Sequence, residues 1–167
     1  MKEFELQGIN HLALVCRDFQ ETIDFYTITL GLKLIKNIDL PSGGKHFFID
    51  IGNNDTLAFF WSTKAPESVP GISSVRPEAF LTGDIITAHG SMNHVAFHVP
   101  LEKLEEYKEK LVSKGVQTTP VLHHTDVPMS SFYFFDPNGI LLEFAANLQP
   151  LDTLPTELNE KEAISLK

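Results

Sequence analysis

The 167-residue chain reads as an α+β protein built from two copies of one βαβββ module, and three observations predict it. A five-residue pattern recurs, Asn10-His11-Leu12-Ala13-Leu14 returning as Asn93-His94-Val95-Ala96-Phe97. Each copy leads into an amphipathic stretch that stops at a glycine, Gly31 in one half and Gly115 in the other. Each half then ends in a pair of short aromatic-rich segments with strand composition.

Residues 8–16 are apolar with β-type alternation and predict the first strand. Asp18 caps the helix that follows, and Glu21, three residues on, completes a capping-box pattern. Phe19, Ile23, Tyr26 and Leu30 recur at helical spacing and predict its buried stripe. Strands are expected at 32–40, 45–51 and 55–61, separated by Pro41-Ser42-Gly43-Gly44 and Gly52-Asn53-Asn54, both turn-type sequences. The second half repeats the order. A strand is expected at 92–99 and a helix at 101–114 with Leu101, Leu104, Leu111 and Val112 on one face. Strands follow near 116–123, 130–136 and 140–146. Module 1 thus spans about 8–61 and module 2 about 92–147, within one domain over 1–148. The linker 62–91 has little periodicity and several prolines and glycines, as a cover or a tether would. Residues 149–167 read as a polar, acidic tail.

Bulk composition narrows the function classes. A formal net charge of −9 argues against nucleic acid or an anionic membrane as partner. A single cysteine, Cys16, leaves no intrachain disulfide, suits a reducing cytosol and reads as a small buried hydrophobe. With no apolar run of membrane-spanning length and no signal-peptide pattern, a soluble cytoplasmic protein is expected.

Aligning the halves identifies the candidate site. The histidines are 83 residues apart, and the final hairpins align at an offset of 85, which places Phe48 against Tyr133, Asn53 against Asn138 and Ala58 against Glu143. The duplication therefore offers four special positions, filled by His11, Ala58, His94 and Glu143, and three of these can bind a metal. Glu143 lies in an apolar strand, where burying a lone carboxylate costs several kcal/mol and a cation removes that cost. Two imidazoles and one carboxylate suit Fe(II) or Mn(II) held on one side. Asp136-Pro137-Asn138-Gly139 predicts a tight turn. If its loop has three residues with glycine in the left-handed position, Asp136 faces Ile140 and Tyr133 sits across from Glu143 on one sheet face; a two-residue loop reverses this. His123 and His124 precede a turn. His98 shares a face with His94 but lies about 13 Å along the strand, and Asp55 reads as a turn residue. His46 and His89 give no usable signal.

These residues resemble the vicinal-oxygen-chelate superfamily, which contains glyoxalase I, bleomycin- and fosfomycin-resistance proteins, methylmalonyl-CoA epimerase and extradiol ring-cleaving dioxygenases. The likeness runs over roughly residues 8–147. It implies paired modules curled into an incomplete β-barrel around a divalent metal, within one chain or across a swapped dimer. It further implies His11, His94 and Glu143 as ligands, with Fe(II) favoured and Mn(II), Ni(II) or Zn(II) as alternatives. Glyoxalase I has a glutamate where Ala58 stands. Extradiol dioxygenases instead share the triad and a run similar to His124-Thr125, Met129, Ser131-Phe132-Tyr133, Pro137, Gly139 and Glu143. That branch implies catalytic roles for Tyr133 and His124, with Asp55 at the position of its acid–base histidine. Manganese-dependent fosfomycin-resistance transferases share the triad, yet Val116 to Ser131 lacks their phosphonate-binding lysine and arginine. The resemblance thus implies a homodimeric dioxygenase acting on a small molecule with vicinal oxygens. A lyase, isomerase or thiol transferase, or a non-catalytic sequestering protein, is the alternative.

Overall fold

The computed structural model describes residue 4 and residues 8–41, 43–124 and 127–149; Thr125 and the expected tail beyond residue 149 lie outside them. The first module runs β1 (His11–Cys16), α1 (Phe19–Asp24), β2 (Lys33–Leu40), β3 (Gly44–Gly52) and β4 (Asp55–Trp61). After the linker, which holds a short helix α2 (Ala79–Thr82), the second runs β5 (Val95–His98), α3 (Leu104–Ser113), β6 (Leu122–His124), β7 (Met129–Phe135) and β8 (Leu141–Asn147). Each module makes a four-stranded mixed sheet, ordered β1-β4-β3-β2 and β5-β8-β7-β6. In both, the first strand pairs parallel to the last and the other pairings are antiparallel. No strand pairing joins the two sheets among the described residues, so the barrel is not closed within one chain.

Local chemistry accounts for most boundaries. Asp18 caps α1 by accepting from the Glu21 amide at 2.8 Å. The predicted helix does not continue uniformly to Gly31. After Asp24 it widens into a π-helical turn, Phe25–Thr29, closed by the Leu30 amide on the Phe25 carbonyl at 3.0 Å. The second helix begins as a 3₁₀ turn over Leu101–Lys103, and its buried positions are Leu104 and Leu111. Leu101 and Val112, expected on the buried face, are exposed. The strand expected near 116–123 shortens to Leu122–His124, because Pro120 has no amide to give a ladder. Ahead of it, Thr118 makes only an isolated bridge to Phe134.

Strand alternation sorts each sheet into two faces. On one face of the first sheet Leu14, Cys16, Phe47, Ile49, Leu57 and Phe59 are buried, and they join Phe132, Phe134, Leu142, Leu104 and Leu111 of the second module in one core. That shared core makes the two modules one body. The remaining faces bear the candidate functional residues.

Candidate metal centre

The β7–β8 turn decides the geometry of the site. Its loop is Pro137 to Gly139, with Gly139 at φ 78°, and the Asp136 amide donates to the Ile140 carbonyl at 3.0 Å. This is the three-residue form, so Tyr133 pairs with Glu143 across the strands. Parallel pairing of β5 with β8 sets Ala96 beside Glu143, as Ala13 is set beside Ala58 in the first sheet. The equivalence of Ala58 and Glu143 read from the alignment is therefore spatial as well.

His94, just ahead of β5, reaches Glu143 with Nε2 3.0 Å from Oε2. The Asn93 amide nitrogen donates to the Ile85 carbonyl, which leaves its oxygen facing His94 Nδ1 at 2.7 Å. A carboxamide oxygen only accepts, so Nδ1 holds the proton and Nε2 of the neutral ring offers a lone pair. Two electron-rich atoms then face each other at hydrogen-bond distance. They are compatible only with a proton between them, on Nε2 or on the carboxyl, or with a metal ion. Glu143 is 2% exposed, and its other oxygen, Oε1, has no hydrogen-bond partner among the described residues. A buried carboxylate oxygen without a donor is costly. An imidazole nitrogen and a carboxylate so disposed fit a divalent cation.

Burial would push the Glu143 carboxyl up, but the neighbouring His94 ring, and after it the nearby Ser131 and Tyr133 hydroxyls, outweigh it and hold the group below its ordinary value. Tyr133 meets the His94 ring edge-on at 5.7 Å between centroids. Burial, then the nearby Glu143 carboxylate, push its phenol up to about 12, so the hydroxyl is a proton donor throughout the neutral range. His124 Nε2 lies 2.9 Å from the Ser131 hydroxyl, which links it to the Glu143 side of the sheet. His123 instead meets Ser130 at 2.8 Å, one register step away and on the opposite face.

The structure does not bring His11 to this pair within one protomer. Among the described residues, no three His, Cys, Asp or Glu side chains stand close enough to hold an ion. His11 nevertheless repeats the arrangement of His94, its Nδ1 lying 2.8 Å from Asn10 Oδ1. Asp55 sits at the β3–β4 turn opposite Gly52, and alternation directs it to the face opposite Thr56 and His11. It takes no part in the contacts around Glu143. Cys16 is buried, with burial pushing its thiol up to about 11, which suits a core residue rather than a nucleophile.

The sequence assigned no role to three features, and left the linker as a cover or a tether. Asn10 and Asn93 orient the two imidazoles, and their recurrence beside each histidine is the signal that marks them. Ser131 joins His124 to the site. His46 belongs to an aromatic cluster with Phe48 and Phe60. The linker is a cover at one point: Val75 and Ala79 are buried against Leu141, with Phe80, Tyr133 and Phe135 packed around them.

The chain belongs to the Glyoxalase/Bleomycin resistance protein/Dioxygenase superfamily, whose model matches residues 8–144. It is 25% identical over 139 residues to the protein YwkD of Bacillus subtilis (strain 168), covering 83% of this chain and 95% of that one. It is 30% identical over 115 residues to the putative ring-cleaving dioxygenase MhqE of the same organism, covering 66% of this chain but only 32% of that protein. A solved structure of the fosfomycin resistance protein FosX from Listeria monocytogenes, complexed with Mn(II) and a sulfate ion, superposes with a TM-score of 0.59 at 18% identity, covering 90% of this chain and 100% of the other. No helix among the described residues is long and apolar enough to cross a membrane.

Proposed function

We propose that the protein is a metal-dependent enzyme of the extradiol ring-cleaving type, acting on a small molecule that presents two neighbouring oxygens, and that two copies of the chain build each centre. The observation that carries this reading is the buried Glu143–His94 pair, whose facing lone pairs and orphaned Oε1 call for a cation. His94 and Glu143 of one copy, with His11 of a second, would hold a divalent ion, Fe(II) by preference. When bound, such an ion stabilises negative charge on chelating oxygens as a Lewis acid.

The chain's own residues supply the rest. Tyr133, protonated at neutral pH, donates a hydrogen bond to a substrate oxygen beside the ion. Ser131 and His124 form a short path along which a proton can leave the site. The covering segment around Val75 and Phe80 shields the Tyr133 end from water. Exposed apolar residues on the first sheet's site face, Val15 and Phe60 among them, support its burial against a second copy in a homodimer. The likeness to MhqE, itself named a putative ring-cleaving dioxygenase, supports the reaction class. The Mn(II) complex of FosX favours a second reading, a transferase, lyase or isomerase on the same centre.

The test is anaerobic loading with Fe(II), then oxygen consumption with catechol. One metal per site and oxygen uptake abolished in the Glu143→Ala variant are expected. Tight Mn(II) without oxygen uptake would select the second reading. Weak metal binding, with ligand affinity unchanged by EDTA, would overturn both in favour of a sequestering protein.

A further inference from the structure

The duplication supplies a control on how the core between the modules is closed. At the motif and hairpin offsets, Phe97 and Phe144 of the second module correspond to Leu14 and Phe59 of the first. Leu14 and Phe59 are buried, and the ring of Tyr26 lies over Phe59 with centroids 5.0 Å apart. Phe97 and Phe144 stay half-buried, and Tyr107 of α3 meets Phe144 only edge-on at 6.1 Å. What is left open is a cavity of about 370 Å³, lined by Leu32 and Ile51 of the first module and by Phe97, Leu111 and Phe144 of the second. Apolar side chains facing an unfilled volume forgo dispersion contacts, and a volume of this size is that of a small-molecule pocket. Alternation turns Phe144 away from its neighbour Glu143, so the second sheet separates this cavity from the Glu143–His94 pair.

The mouth of the cavity is cationic, in a chain of net charge −9. Tyr107, Lys110 and Lys114 line it, and no carboxylate does among the described residues. Lys110 bonds to Glu106 at 2.6 Å and lies over the Tyr107 ring at 5.4 Å, so a carboxylate already answers its charge. Lys114 differs. Its Nζ donates to two backbone carbonyls, Ile28 at 3.0 Å and Thr29 at 2.6 Å, and it has no carboxylate partner among the described residues. Thr29 also lines the cavity, which places the ammonium at its edge. Two neutral acceptors leave the charge unbalanced and one of the three N–H donors available there.

We propose that this cavity binds a small aromatic carboxylate, its ring against Phe97, Tyr107 and Phe144 and its carboxylate on Lys114 Nζ. The apolar floor takes the ring, and the ammonium selects an acid over its neutral counterparts. The site draws on both modules and stands whether or not the metal-centred reading does.

The probes are 3-phenylpropionate, its neutral amide and hexanoate, titrated into the full chain with and without EDTA and followed by amide chemical shifts. For a ligand of this size 3-phenylpropionate should bind with a Kd of roughly 0.1–1 mM, and shifts should centre on Phe97, Leu111 and Phe144. The amide should bind about fivefold more weakly or worse, since it loses a charge-assisted hydrogen bond. Hexanoate keeps the charge without the ring and should also bind more weakly. Lys114→Met keeps the stem and removes the charge, so acid and amide should then bind alike. Leu32→Trp fills the cavity and should abolish binding of both with circular dichroism unchanged. If that variant does not fold, Lys114→Met and the shift map still decide. Shifts centred elsewhere, an undiminished preference for the acid in Lys114→Met, hexanoate binding as tightly as 3-phenylpropionate, or binding lost in EDTA would each overturn the proposal.

Discussion

At the scale of single residues, the site depends on acceptors that face one another. Glu143 Oε2 and His94 Nε2 are 3.0 Å apart, and the Asn93 carboxamide prevents the imidazole from resolving the conflict by changing tautomer. Removing either member should empty the centre. Glu143→Ala and His94→Ala are expected to lose at least a hundredfold in metal affinity while far-ultraviolet circular dichroism stays native, since ligand loss removes a bond that no neighbour replaces; a competitive chelator titration checks it. Ala58 is buried at the position in the first module that Glu143 holds in the second. Ala58→Glu should add a fourth ligand beside His11, tighten metal binding by roughly tenfold or more, and suppress oxygen chemistry by filling an open position. The same chelator titration and an oxygen electrode read both effects, and unchanged affinity would mean that position 58 does not face the ion.

At the scale of elements, the β7–β8 turn does more than set register. Asp136 is buried, accepting from the Asn138 and Ile140 amides at 2.9 and 2.8 Å, from the Asn138 side chain at 2.9 Å and from the Tyr26 hydroxyl at 3.1 Å. Asn138 in turn accepts from the Arg17 amide at 2.8 Å and donates to the Thr22 hydroxyl at 3.1 Å. The turn that precedes Glu143 is thereby pinned to α1 of the first module. Tyr26→Phe should cost about 1 kcal/mol in urea unfolding, because Asp136 keeps its other donors. Burial pushes the Asp136 carboxyl up, only partly offset by these donors. A raised value in the folded state means that the protonated form is favoured there. Its stabilisation is complete below the ordinary aspartate value of 3.8 and is lost as pH rises through the folded value. The stability of wild type relative to Asp136→Asn should therefore be greatest in acid and shrink as pH rises through that range. A series of urea unfolding curves measures the slope, and a difference that grows with pH would contradict it.

At the scale of the whole molecule, His11 and the Glu143–His94 pair occupy different sheets and do not meet within one protomer. Shared centres in a homodimer predict complementation. The His11→Ala and Glu143→Ala chains should each bind no metal alone. Unfolded together and refolded, their mixed dimers should recover one intact centre per dimer, because one pairing joins an unaltered His11 to an unaltered Glu143. Metal content and oxygen uptake in the mixture both report it. Recovery of nothing would place the centre within a single chain. Mixing already folded homodimers without exchange gives the control.

Periodicity and repetition were enough to determine the two modules, the succession of elements along each, the Asp18 cap, the equivalence of Ala58 and Glu143 and the recurrence of the Asn-His motifs. These are local or near-local properties, set by alternation, helical spacing and turn chemistry, and a duplicated sequence states each of them twice. The face on which Tyr133 falls was legible only conditionally, since one residue more or less in the loop reverses it, and the observed three-residue turn decided it. Other features required the tertiary structure because they join residues with no shared period: the anchoring of Asp136 by Tyr26, the covering of Leu141 by Val75, and the seating of His46 on Phe60. So did the separation of His11 from Glu143. Alternation sets which side chains a strand offers to each face; the packing of two modules around one core decides which of those faces stay outside it.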